Sequence, residues 1–129
     1  MMTTRRSSAC GSDGMLAKYI LDDEGQPVRC DDLLIWAAWF ENSAHDRSRV
    51  IKQDYAEESD RVGVSTVFLG LDHAFGGGPP VLWESMVFGT SLDGTTARYT
   101  SRADALRGHD AMLARVRAVY DEERGSSLG

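Results

Sequence analysis

The sequence predicts an α+β domain: a mainly antiparallel sheet of about four to five strands with two helices packed on one face. Three observations carry this. The elements run strand, helix, several strands, helix. The central strands are joined by hairpin-length connections, which suit antiparallel neighbours. The C-terminal region carries a sustained helical period. At 129 residues the chain has the length of one domain, and its 42% hydrophobic content supports a real core and excludes wholesale disorder.

Residues 1–14, "MMTTRRSSACGSDG", read as a flexible N-terminal arm. Two arginines are present but no apolar run follows them, so the pattern of a signal peptide is not met. The domain is expected over residues 15–124. "LAKYILDDEGQPVR" holds a short apolar run, an Asp-Asp-Glu-Gly turn and Pro27-Val28, which predicts a strand, a turn and a second short strand. In "DDLLIWAAWFEN", Asp31 or Asp32 caps a helix. Leu34, Ile35, Ala38 and Trp39 sit at helical spacing, but Leu33, Trp36, Ala37 and Phe40 are apolar too. A helix apolar on most sides is expected to be deeply buried or to pack on a second subunit.

"SRVIKQDYA", "VGVSTVFLGLD" and "VLWESMVF" predict three strands, the second rich in β-branched residues. Asp93-Gly94 marks a turn, and "ARYTS" a further short strand. Ser101 with Asp104 three residues on forms a near capping box. Ala105, His109, Met112, Val116 and Val119 then recur at three- and four-residue steps, so an amphipathic helix is expected, closed by Gly125 and followed by a flexible tail over 125–129. Val67, Leu69 and Leu71 fall on one face of the central strand, and Val64, Thr66 and Phe68 on the other. Helices on one side leave an apolar face over, which a second copy of the chain would cover.

The formal net charge of −6 removes long-range attraction to phosphate backbones, so nucleic-acid binding is not expected. The stretch His45, Asp46, Arg47, Arg49 with Lys52 is the one candidate basic patch in the middle of the chain, and reads as a solvated connection. No stretch approaches the roughly 18 apolar residues of a membrane span. Cys10 and Cys30 match no zinc or redox spacing, which suggests a reducing cytoplasm. No serine sits in a nucleophile elbow and neither cysteine has a histidine nearby in sequence, so no catalytic residue and no cofactor is assigned.

The stretch "FLGLDHAFGGGPPVLWESMVF" is the most unusual in the chain. Hairpin loops are commonly two to five polar residues. This connection carries Asp72, His73, Phe75, Gly76, Gly77, Gly78 and two prolines. The glycines allow close approach of backbone N–H groups to an anion, as in phosphate loops. Those loops lead into a helix, whereas this one leads to Pro79-Pro80 and a strand, so a wide stiffened turn is the competing reading. Glu84 falls near the loop across a regular hairpin. His109 falls on the apolar stripe of the last helix, where its ring nitrogens need partners, and Asp72 or a loop carbonyl is the expected one. Asp72, His73, Phe75, Gly76, Gly77, Gly78, Glu84 and His109 are therefore the candidate ligand-binding residues. A His/Asp/Glu/His set of this kind also suits zinc or acid–base chemistry, the pattern of a small metal-dependent hydrolase.

"VSTVFLGLDHAFGGGPPVLWESMVFG" followed by "RYTSRADALRGHDAM" resembles a group of small proteins of tailed phages and prophages of actinobacteria. The resemblance covers roughly residues 60–118. It implies a phage gene product acting in the host cytoplasm and supplies no catalytic residues. Together these readings lead to the expectation of a homo-oligomeric, non-enzymatic accessory protein that binds a host protein or a small nucleotide, such as a signal of host defence. A metal-dependent hydrolase and a minor virion or assembly protein are the alternatives.

Overall fold

The computed structural model describes residues 17–56, 59, 61–74 and 78–128, the last three of these as backbone only. The expected arm over 1–14 with Cys10, and the site candidates Phe75, Gly76 and Gly77, lie outside the described residues. The fold is α+β, with two helices and two antiparallel sheets of two and four strands among the described residues. The chain divides into two compact units, one running to Ser48 and including Gly70–Val81, the other formed by Arg49–Leu69 with Leu82–Gly129.

In the first unit, β1 (Tyr19–Leu21) pairs antiparallel with β2 (Pro27–Arg29). Their turn is built by Asp22, whose carboxylate accepts from the N–H groups of Glu24 and Gln26, each at 2.9 Å. Helix α1 (Leu33–His45) follows, and of the two acidic cap candidates it is Asp32 that accepts from Leu34 N (3.0 Å) and Ile35 N (3.1 Å). This answers two of the donors a helix start leaves without partners. Trp36 fixes the rotation of α1: its indole N–H donates to the carbonyls of Tyr19 (3.2 Å) and Gly70 (3.1 Å), and its ring stacks on Phe40 at 4.8 Å. The first turn of the helix meets water, with Leu33, Leu34 and Ile35 exposed to 55%, 81% and 58%. Among the described residues the apolar excess legible in "LLIWAAWF" is thus only partly buried.

In the second unit, β3 (Val50–Tyr55), β4 (Gly63–Phe68), β5 (Trp83–Phe88) and β6 (Thr96–Tyr99) form an antiparallel sheet in that order. β4 and β5 are the central strands, and Val64, Thr66 and Phe68 on one alternate with Trp83, Ser85 and Val87 on the next as the buried rows. Helix α2 (Arg102–Leu128) lies on this face and contacts β4 and β5 most extensively. Ser101 caps it as expected, accepting from Asp104 N at 3.0 Å. Ala105, His109, Leu113 and Val116 are the buried stripe, and Val64, Val87, Leu113 and Val116 form the core with Val62, Leu92 and Met112 around it. Each fully buried branched side chain contributes about 1.5–3 kcal/mol. Surface pairs along the helix such as Arg107 with Asp104 contribute a few tenths, so burial of the stripe decides where α2 sits.

The helix does not end where its glycine suggests. It runs through Gly125 to Leu128, and Gly125 is absent from the glycines in the left-handed conformation that a glycine stop adopts. No helix of the described residues is long and apolar enough to cross a membrane.

Candidate functional site

The connection from β4 to β5 is closed at its mouth by one side chain. Asp72 Oδ1 accepts from Ala74 N at 2.7 Å and from Val81 N at 2.9 Å, while His73 N donates to the carbonyl of Val81 at 2.9 Å. Asp72 N in turn donates to Ala17 O at 2.9 Å. Oδ1 therefore joins the two ends of the loop. His73 Nδ1–H donates to a nearby carbonyl, Leu71 O, at 2.8 Å. Gly78 and Pro79 are exposed, and Gly78 takes φ +90°, a conformation disfavoured for any residue with a Cβ. The two ends of the connection are thus anchored to each other.

A second constellation lies under α2. His109 is fully buried, with Nε2 2.9 Å from Asp54 Oδ2 on β3 and Nδ1 2.6 Å from Thr66 Oγ1 on β4. Thr66 Oγ1 is 2.5 Å from Ser85 Oγ on β5. The register explains the meeting, since Thr66 and Ser85 are direct cross-strand partners and Asp54 sits opposite Val64, two residues along the same face. A carboxylate only accepts, so Nε2–H donates to Asp54. In the neutral imidazole Nδ1 then accepts from the Thr66 hydroxyl, and Thr66 Oγ1 accepts from Ser85.

This hydrogen-bond order, hydroxyl to imidazole to carboxylate, is that of a nucleophile with its base and orienting acid. Accessibility decides against that use. Thr66, Ser85 and His109 are each 0% exposed, and only Asp54, at 38%, reaches water. A substrate carbonyl has no approach to either hydroxyl. What the chain of bonds does is tie three strands to the helix, satisfying polar groups that would each cost about 1–3 kcal/mol if buried alone.

These placements correct the expected partner of His109, which is neither Asp72 nor a loop carbonyl but Thr66 and Asp54 on the sheet. Glu84 likewise has its own partner: it receives Arg98 Nε at 2.9 Å across the β5–β6 pair, on the sheet face away from α2. Asp72, His73 and Gly78 belong to the first compact unit, Glu84 and His109 to the second. Among the described residues no three His, Cys, Asp or Glu side chains are grouped to hold a metal ion. Asp54, Thr66 and Ser85 carry no signal as a group in the sequence; Thr66 alone is readable, as the polar member of the row Val64, Thr66, Phe68.

Beside His109, Asp110 takes Lys52 at 2.8 Å on the surface. This hydrogen bond is the main cause that holds the Asp110 carboxyl below its ordinary range, and it raises the Lys52 ammonium. Both groups are open to solvent, so the pair orients α2 on β3 more than it stabilises.

Comparison with protein-family models, with curated proteins and with solved structures finds no match.

Proposed function

We propose that the protein is a non-enzymatic binding protein, a phage accessory factor that holds a host molecule stoichiometrically. One observation carries the reading: the Asp54–His109–Thr66–Ser85 chain, the arrangement among the described residues with the connectivity of a catalytic relay, has both hydroxyls sealed from solvent. The anchored loop supports it further. A loop whose ends are joined by Asp72 loses less freedom on binding than an untethered one, which favours capture. A small nucleotide suits this loop, because glycine-rich backbone offers N–H donors to phosphate oxygens without needing a basic side chain.

The test is a stoichiometry. Protein incubated with a pool of linear and cyclic nucleotides, then washed and denatured, should release no more than about one equivalent of one species per chain, chemically unchanged. Asp72→Ala, which frees the loop ends, should retain much less while α2 and the four-stranded sheet stay folded. Product accumulating over many equivalents would refute the binding role and restore the hydrolase.

A further inference from the structure

We propose that residues 1–16 of this chain lie along its own stretch from Val28 to Ile35, with Arg5 and Arg6 against the acids of that unit and Cys10 within disulfide reach of Cys30. Among the described residues six large hydrophobic side chains are exposed, and four of them, Val28, Leu33, Leu34 and Ile35, fall within this stretch. The three on α1 are consecutive and so spread around its first turn. A second helix laid alongside would cover only part of them, whereas an extended segment wraps around the turn. Cys30 sits inside the same stretch, half-buried, with a free thiol that donates to Asp32 O at 3.7 Å.

Tether and charge select this occupant. The segment is rooted beside the stretch, because Lys18 O accepts from Cys30 N at 2.8 Å and Ala17 O from Asp72 N at 2.9 Å. Cys10 lies eight residues before Lys18 (18 − 10). A chain of that length has a root-mean-square span of about 16 Å, so it returns readily to the roughly 4–7 Å between Cα atoms that a disulfide needs. Over residues 17–35 the acids Asp22, Asp23, Glu24, Asp31 and Asp32, all exposed, outnumber the cations Lys18 and Arg29. Asp31 already holds Arg29 through one oxygen at 2.8 Å, yet its side chain stays 72% exposed. Residues 1–16 carry Arg5 and Arg6 against Asp13 alone, with Met1, Met2, Met15 and Leu16 as apolar partners. No histidine is involved, so these charges are complete at neutral pH. A tethered segment acts at an effective concentration of order millimolar, above that of a free second copy at micromolar concentration, and takes the surface first.

Oxidation reports the docking. With oxidised glutathione, one cysteine thiolate attacks the disulfide, forms a mixed disulfide and releases one glutathione thiol. The other cysteine thiolate then attacks the protein sulfur of that mixed disulfide and releases the second. The chain is oxidised by two electrons, the glutathione disulfide is reduced, and the two thiol protons end on the released thiols. Full-length protein at micromolar concentration should close a Cys10–Cys30 bridge within one chain, read as the loss of two hydrogens in the intact mass and as one linked peptide after digestion without reductant. Arg5→Glu combined with Arg6→Glu should slow closure by about tenfold at low salt. Leu33→Ser combined with Leu34→Ser should slow it similarly with little change in melting, because both side chains are open to water in the described residues. Arg115→Glu with Arg117→Glu, the same charge change on exposed positions of α2, should leave the rate as it was. Closure at the wild-type rate in the arginine or the leucine variant would mean that the cysteines meet by tether alone, and would overturn the docking. So would equal slowing in the α2 control, a bridge between two chains, or glutathione left on both cysteines.

Discussion

Gly63→Ala should lower the melting temperature by about 10 °C or more, corresponding to a loss of about 3 kcal/mol or more. A Cβ placed on Gly63 would overlap the Asp54 carbonyl oxygen and lie 2.8 Å from the Tyr55 Cα, both backbone atoms of the neighbouring strand. No rotamer change relieves such a contact, so β3 has to move away from β4. The move disrupts more than hydrogen bonds. Gly63 stands between Tyr55 and Phe88 in one cross-strand row. Strands two apart are about 10 Å from each other, yet the Tyr55 and Phe88 rings meet edge to face at 5.6 Å. They reach one another by leaning over the residue that has no side chain, and a methyl group there separates them. Asp54 also sits on the displaced strand, so the bond to His109 lengthens with it. Gly94→Ala is the control: Gly94 has φ +87° and open space around a Cβ, so the cost is that of a left-handed alanine, about 1–2 kcal/mol. Thermal melts of the two variants side by side decide the matter. Equal losses would mean that β3 and β4 do not pair in this register.

Local grammar was legible where the physics is local. The caps at Asp32 and Ser101, the Asp22–Gly25 turn and the stripe Ala105, His109, Val116 each follow from residues within a few turns of each other, and all are present. The site was less legible because its members meet only through strand register. His109 is 43 residues from Thr66 and 55 from Asp54. Alternation placed Thr66 on the buried face beside Val64 and Phe68. Asp54 resisted the same argument because the β3–β4 ladder shifts between Val50 and Lys52, and a bulge of this kind resets which residues of the strand face the helix. Asp72 is the nearest polar candidate to a reader without that register, and its Oδ1 closes its own loop. The composition of α1 signalled an apolar surplus but not its direction, to which the long-range anchor of Trp36 on Tyr19 and Gly70 contributes.

His109→Ala should cost about 3–5 kcal/mol, the sum of a cavity at a fully buried site and two polar partners left behind. The two partners are not equal, and that inequality gives the sharper test. In His109→Asn the shorter amide falls near the position of Nδ1 and keeps the bond to Thr66. In His109→Gln the longer amide reaches the position of Nε2 and keeps the bond to Asp54. Asp54 is 38% exposed and recovers water when its donor is lost, whereas Thr66 is sealed between Val64 and Phe68 and recovers nothing. His109→Asn is therefore expected to be more stable than His109→Gln by about 1 kcal/mol. Helix propensity alone runs the other way, since glutamine is the better helix former by a few tenths, so the order of the two melting curves separates the buried bond from the helix itself. Metal content measured on the same samples should be the same before and after either change. If instead the wild type holds stoichiometric zinc or manganese that both variants lose, with little effect on melting, His109 is a ligand in an enzyme and not the bolt between α2 and the sheet.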